Sequence, residues 1–208
     1  MEFMRRFYGH RATQDARVQL AEQLLEMYKN NSSSTWPWFE DVLSYCNAKL
    51  PHALILCGQW MERGEMVDAG LNALTWLVDA QRMGSDHFVP IGSNGFYSRN
   101  GDRARFDQQP VEAHATVSAC LEAYRMTGEE EWYKEAQRAF DWYLGGNDLH
   151  LPVYNPATGG CFDGLSPDRV NQNQGAESTL SFLLSLVELT LAENIIKQPD
   201  AEREALAE

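Results

Sequence analysis

The sequence predicts an all-α domain, built from repeated helical hairpins that form a partial (α/α) toroid with short β-hairpins in the long loops. Three observations lead there. The chain of 208 residues repeats itself at a period of about 65, each unit carries apolar residues at helical spacing, and a long polar-aromatic loop recurs at the same place in each unit.

The repeat is read by direct comparison. At an offset of 66, Trp76 falls on Trp142, Ala73 on Ala139, Phe88 on Tyr154, Pro90 on Pro156, Phe96 on Phe162 and Arg103 on Arg169. After a slip of one residue, Gln109 falls on Gln174 and Glu112 on Glu177. A period of this length means that one supersecondary unit is used more than once.

Each element has its own signal. A first helix over 13–30 places Val18, Ala21, Leu25 and Tyr28 on one stripe, with Thr13 as the N-cap. The Ser-rich loop that follows carries Trp36-Pro37-Trp38-Phe39-Glu40-Asp41, and helices are expected over 38–46 and 50–62. The next helix, 64–83, shows Val67, Leu71, Leu74 and Val78 on one face. A loop rich in Gly, Pro, Asn and Ser leads to Pro110, which suits the first position of a helix running to Thr127-Gly128. The second unit copies this, with a helix over 129–145, a loop over 146–174 and a helix over 175–194. That last helix is apolar nearly all round, which predicts a central, buried position. Residues 1–197 read as one domain, and 198–208 as a charged tail.

Loops of this length are uncommon unless they work. Their common position in each unit suggests a site at one rim. A full ring of six hairpins would need ~400 residues at this period, so the chain holds about half. An open half would expose a large apolar patch, which favours a homo-oligomer, a dimer for example, or a missing partner domain.

Composition narrows the partners. The 17 basic and 30 acidic residues leave a formal charge of −13, which repels nucleic acid and anionic lipid and disfavours a polyanionic substrate. No apolar stretch is long enough to cross a bilayer, and Met1 to Arg11 lacks the apolar core of a secretory signal. Cys46, Cys57, Cys120 and Cys161 show no metal-site spacing and suit small buried hydrophobes, which points to reduced thiols in the cytoplasm. The histidines show no metal spacing either. No cofactor and no metal are expected.

The chemistry concentrates where the long loops end. The runs Arg103-Ala104-Arg105-Phe106-Asp107-Gln108-Gln109-Pro110-Val111-Glu112-Ala113-His114 and Asp168-Arg169-Val170-Asn171-Gln172-Asn173-Gln174-Gly175-Ala176-Glu177-Ser178-Thr179 are rows of amides and carboxylates at the starts of helices. Such side chains meet sugar hydroxyls, which both donate and accept. Trp36, Trp38, Phe96, Tyr97, Tyr154 and Phe162 offer faces for a pyranose ring. Carbohydrate is therefore the expected ligand class.

The Trp36–Asp41 stretch, Phe106–Ala113 and Val170–Leu180 resemble a helical region of bacterial carbohydrate-active proteins that is often annotated with glycosyltransferases and is similar in shape to six-hairpin (α/α) glycosidases. The resemblance runs from about Ala16 to Glu193. One departure stands out: in Ser44-Tyr45-Cys46-Asn47-Ala48-Lys49-Leu50-Pro51 the resemblance implies Asp where Cys46 stands.

Glycoside hydrolysis needs one carboxylic acid and one carboxylate. Asp107, Glu112 and Glu177 are the catalytic candidates, with Asp41 and Glu40 behind them. Asp107 is placed as the acid, and Glu112 and Glu177, in first helical turns, as base or hydroxyl-binding groups. Trp36, Trp38, Asp41, Tyr97, Arg105, Gln108, Gln109, His114, Asn171, Asn173 and Gln174 complete the expected substrate contacts. The structural alternatives are equally concrete. A first-turn Glu can serve only the helix dipole, His114 can be a packed core residue, and Trp76 and Trp142 suit packing between hairpins. Asn147-Asp148 and Asp163-Gly164 read as turn formers.

Three functions compete: a glycoside hydrolase, a non-catalytic sugar-binding or assembly module associated with a glycosyltransferase, and a sugar isomerase or epimerase. The last wants paired rim histidines, and only His87 and His114 lie near suitable loops. No Gly-rich strand-to-helix turn of a nucleotide-sugar site is present.

Overall fold

The computed structural model describes residues 9–82 and 86–197, which form six helices and three small antiparallel strand pairs. The readings of the extreme N-terminus and of the 198–208 tail fall on residues outside that set.

The helices are α1 (Arg11–Asn31), α2 (Lys49–Trp60), α3 (Gly64–Ala80), α4 (Pro110–Thr127), α5 (Glu130–Asp141, extended by a 3-10 turn at Trp142–Leu144) and α6 (Ala176–Lys197). They pack in two rows. The short 61–63 turn folds α3 back on α2, and Gly128 folds α5 back on α4. Gly128 adopts φ +73, the left-handed conformation a helix terminator needs, and its N–H closes on the Tyr124 carbonyl at 2.8 Å. In the inner row α4 lies between α2 and α6. Its small residues (Ala113, Ala115, Ala119 and Ala123) are fully buried, so both neighbours approach it closely.

Buried residues from Ala21 in α1 to Ala192 in α6 form one continuous core. Fully buried Leu54, Leu74 and Leu77 are each worth about 1.5–3 kcal/mol over exposure. Where Trp142 and Tyr143 leave α5, they turn into this core. Glu135 of α5 is buried too, and it is neutralised by Arg82 after α3 and by Arg138.

The loops overturn the all-α partial toroid expected from the sequence: the fold is mixed, helices plus small strand pairs. Strand β1 (Val42–Leu43) pairs with β2 (Tyr97–Ser98) across two different loops. Strands β3 (Tyr154–Asn155) and β4 (Gly160–Cys161) pair within the third loop, as do β5 (Gly164–Ser166) and β6 (Arg169–Asn171). Gln108 bridges to Leu165, joining the second loop to the third. The reason is backbone satisfaction: long loops packed on a core must pair their N–H and C=O groups, and here they pair with one another.

Two local expectations also fail. Residues 38–46 form no helix, because Trp38 and Phe39 plunge into the core and the chain then extends into β1. Helix α6 is not buried all round. Leu180, Leu184, Val187 and Leu191 are exposed, because α4, α5 and β4 cover the opposite side. At the other end of the chain, His10 rather than Thr13 caps α1, accepting from the Thr13 N–H at 3.3 Å.

Candidate functional site

Two of the three catalytic candidates meet. Glu112 in the first turn of α4 and Glu177 in the first turn of α6 both reach the Tyr45–Asn47 turn ahead of α2. The Glu112 carboxylate accepts from the Cys46 N–H (Oε1, 2.5 Å), the Asn47 N–H (Oε2, 3.3 Å) and Asn47 Nδ2 (Oε2, 3.1 Å). The Tyr45 hydroxyl donates to Glu177 Oε1 at 2.7 Å. Cys46, Glu112 and Glu177 each stand one repeat apart, so a single position of the repeating unit is brought together three times. Cys46 takes φ +51 to present its N–H to Glu112.

The two acids differ in surroundings. Glu112 is 2% exposed, and burial pushes its carboxyl up to about 7 against the pull of the three N–H donors. Glu177 is exposed. Burial and the neighbouring Glu177 push the Tyr45 phenol up, and burial and Glu112 push up the Cys46 thiol. Glu112 thus corrects the expected catalytic role: sealed from solvent and with both oxygens engaged, it anchors the turn. Asp107, the expected acid, is exposed on the 92–107 loop, where its carbonyl accepts from the Ser93 N–H at 2.9 Å.

Below the turn, the α2–α4–α6 joint carries a polar track. Ser118 donates to Glu188 Oε2 at 2.8 Å and lies 3.3 Å from His114 Nε2. His114 is 3.6 Å from Glu188 Oε1, so its partners are within the fold and its expected substrate contact is corrected to a packing role. Burial and nearby Lys49 hold His52 down at about 4.

Other expected contacts prove structural as well. Trp36 and Trp38 are core residues, stacked edge-on or tilted against Trp76, so neither offers a face to a ring. Tyr97 lies parallel to Trp76 at 6.4 Å and seats β2. Asp41 is exposed and pairs with Arg99 at 3.3 Å. Gln108 is fully buried and ties three elements together: its Nε2 donates to Asp148 Oδ2 (2.7 Å) and to the Arg105 carbonyl (3.0 Å), and its Oε1 accepts from Trp142 Nε1 (2.8 Å). Arg105 forks onto Asp148 at 2.9 and 2.7 Å. Gln109 occupies the N-cap position of α4 without a side-chain bond.

Asp148 and Asp163 do more than form turns. Asp148 also accepts from His87 Nε2 at 2.8 Å, and burial of its charge is outweighed by the bonds from Arg105, His87 and Gln108, which hold it down at about 2. Asp163 caps α6 from a distance, accepting from the Gly175 N–H (2.8 Å), Ser178 Oγ (2.7 Å) and Asn173 Nδ2. Gln174 accepts from Thr158 Oγ1 at 2.7 Å. Neighbouring Asn147 is buried beneath the loop and staples the Trp142 and Leu151 carbonyls. The repeat carries a signal for it, since it stands one unit after Gln81, which is equally buried.

An open cleft of about 950 Å³ lies against the β5–β6 hairpin. Leu151, Pro152, Phe162 and Val170 form its apolar wall, and Ser166, Asp168, Arg169, Asn171 and Gln172 supply polar groups. Of the residues expected to contact substrate, Asn171 reaches it. Asn173, exposed next to the hairpin, is drawn toward Asp163 instead. No group of three or more His, Cys, Asp or Glu among the described residues is placed to hold a metal ion. No helix among them is long and apolar enough to cross a membrane. Compared with protein-family models and with curated proteins, the chain matches none.

Proposed function

We propose that the chain binds a neutral carbohydrate in the β5–β6 cleft and acts as a non-catalytic sugar-binding or assembly module of the kind associated with glycosyltransferases. The observation that carries this reading is the composition of the cleft: the Phe162 ring beside the amides of Asn171 and Gln172 and the Ser166 hydroxyl. An aromatic face covers the apolar side of a pyranose, and amides donate and accept in pairs around its rim. The charge of −13 adds to the case against nucleic acid and lipid surfaces. The four cysteines are unpaired and would stay reduced in the cytoplasm, the compartment this reading assigns.

Titration calorimetry against a panel of neutral oligosaccharides tests it. Binding that falls at least tenfold in Phe162→Ala and in Asn171→Ala supports the cleft, whereas binding unchanged in both variants, or none across the panel, removes it.

Glycoside hydrolysis is the second reading, favoured by Glu177, an exposed carboxylate in the first turn of α6 that holds the Tyr45 hydroxyl at 2.7 Å. Turnover of aryl glycosides that disappears in Glu177→Gln would establish it over the module.

A further inference from the structure

Two asparagines of the chain precede a glycine, Asn94 and Asn100, and both pairs lie exposed in the 92–107 loop. Such a pair can react with itself, because glycine has no Cβ to keep its backbone nitrogen away from the neighbouring carboxamide. Exposure does not separate the two pairs, but hydrogen bonding does. The Gly101 N–H donates to the Ser98 carbonyl at 2.9 Å, and a Cβ at Gly101 would meet Ser98 Cβ at 3.4 Å. At the other pair the bonds of the turn pass over the glycine. Asn94 donates its N–H to the Phe106 carbonyl at 3.1 Å, and Phe96 donates to the Gly92 carbonyl at 3.1 Å. The Gly95 N–H has no hydrogen-bond partner among the described residues. A Cβ at Gly95 would meet only Ala104 Cβ, at 3.5 Å, so the nitrogen is open to approach.

We propose that Asn94 is a self-modifying site, converted without an enzyme to aspartate and isoaspartate, and that the second product unfastens the 92–107 loop. The Gly95 nitrogen gives its proton to solvent and attacks Asn94 Cγ. A C–N bond forms there, the side-chain nitrogen leaves as ammonia, and a five-membered succinimide results. Water then adds to one of the two succinimide carbonyls and breaks its bond to the Gly95 nitrogen. Breaking the bond at Cγ leaves aspartate with the chain unaltered. Breaking it at the main-chain carbonyl leaves isoaspartate, whose backbone runs through Cγ. One water is consumed and one ammonia released, and no other reactant is needed. The isoaspartate backbone is longer by one carbon, about 1.5 Å. That carbon falls between two fastenings of the loop: the Asn94 N–H on Phe106, and the Ala104 N–H on the Phe96 carbonyl at 2.7 Å. The near side has no slack to absorb it, since a Cβ at Gly92 would sit 2.1 Å from the Phe106 carbonyl oxygen. The Phe96–Ala104 bond is therefore the one that opens. The inference is independent of the sugar reading, because neither Asn94 nor Gly95 lines the β5–β6 cleft.

Peptide mass spectrometry of the full chain, aged at mildly alkaline pH, tests the site. Trypsin cuts after Arg99 and so places the two asparagines on separate peptides. In the folded chain the Asn94 peptide should gain one mass unit about fivefold or more faster than the Asn100 peptide, the factor by which one net hydrogen bond of ordinary strength restrains Gly101. In guanidinium chloride, where neither turn persists, the two should convert at comparable rates, and Asn94→Gln should abolish the gain in its peptide. Hydrogen exchange tests the consequence. The Ala104 amide should lose protection in the aged chain, whereas Asn94→Asp, which carries the charge without the extra carbon, should keep it. Equal rates at the two asparagines of the folded chain, a faster Asn100, or no gain at either while the unfolded chain converts, overturns the site. An aged chain rich in isoaspartate with Ala104 still protected overturns the loop opening.

Discussion

Tyr45 reaches across 132 positions of sequence to donate its hydroxyl to Glu177 at 2.7 Å, closing the turn ahead of α2 onto the first turn of α6. The same turn is held from below by Glu112, so three successive copies of one repeat position share a single joint. Tyr45→Phe removes the Glu177 bond and nothing else. The bond is near solvent, so the expected loss in urea unfolding is small, about 0.5–1.5 kcal/mol. Because burial and Glu177 push the Tyr45 phenol up, and burial pushes up that of Tyr143, an ultraviolet titration should find two tyrosines fewer ionising in the ordinary range in the wild type than an unperturbed set would give.

Glu112 should give the protein a distinctive pH dependence. Its carboxyl is raised from 4.5 in the unfolded chain to about 7 in the folded one. The folded state then holds more protons between those values, so the contribution of this group is complete below pH 4.5 and is lost as the pH rises to about 7. Glu112→Gln keeps the volume but turns an NH2 toward a backbone N–H, leaving one buried donor unpaired at a cost of about 1–3 kcal/mol. The variant should also lose this part of the pH dependence. Unfolding free energies at pH 5 and pH 7.5 measure both effects, and a variant whose pH profile matches the wild type would show that Glu112 does not titrate in that window.

Much of this joint is legible in the sequence because the repeat aligns Glu112 with Glu177, and both begin helices whose apolar spacing is plain. The α4 boundaries are equally legible, since Pro110 and Gly128 mark them chemically. What the repeat hides is whether an acid faces water or is sealed, because that depends on Tyr45 and Asn47 arriving from a loop 65 or more positions away. Trp36 and Trp38 mislead for a related reason. Aromatic residues flanking a proline in a Ser-rich loop resemble a binding surface, and only the packing of Trp76 and Tyr97 around them makes them core. Asp148 is hidden because Gly145-Gly146-Asn147-Asp148 reads as a turn, and its partners His87 and Arg105 lie 61 and 43 positions away.

Asp148→Asn tests that polar junction. The substitution removes the charge that Arg105, His87 and Gln108 all address, and with Arg105 half-exposed the expected cost is about 2 kcal/mol. The carboxyl is lowered from 3.8 to about 2, so its contribution is present above pH 3.8 and disappears as the pH falls toward 2. Acid unfolding monitored by circular dichroism should therefore start at higher pH in the asparagine variant, with the largest gap between the curves above pH 4.

Asp163→Ala probes the link between α6 and the proposed sugar cleft. Loss of a helix cap costs about 0.5–2 kcal/mol, and here the same carboxylate also holds Asn173. The expected result is a modest fall in the melting temperature together with weaker oligosaccharide binding, since β6 and the 171–175 segment lose their anchor. Binding unchanged alongside the stability loss would show that the cleft is organised without the cap.

The seam between the second and third loops depends on Gly164. Leu165 and Gln108 exchange N–H···O=C bonds of 2.9 Å, and a Cβ at Gly164 would collide with the Gln108 carbonyl oxygen that receives one of them. Gly164 also holds φ +137, a conformation other residues avoid. Gly159 separates the two effects: its φ is +74, but nothing lies within 4 Å of the position a Cβ would take. Gly159→Ala should cost only the left-handed backbone penalty, about 1–2 kcal/mol. Gly164→Ala should cost about 3 kcal/mol or more, as backbone strain adds to at least one lost bond. Hydrogen exchange should show the Leu165 and Gln108 amides opening in the Gly164 variant and staying protected in the Gly159 variant. Equal losses in the two would mean that φ alone, and not the close approach of the loops, fixes glycine at position 164.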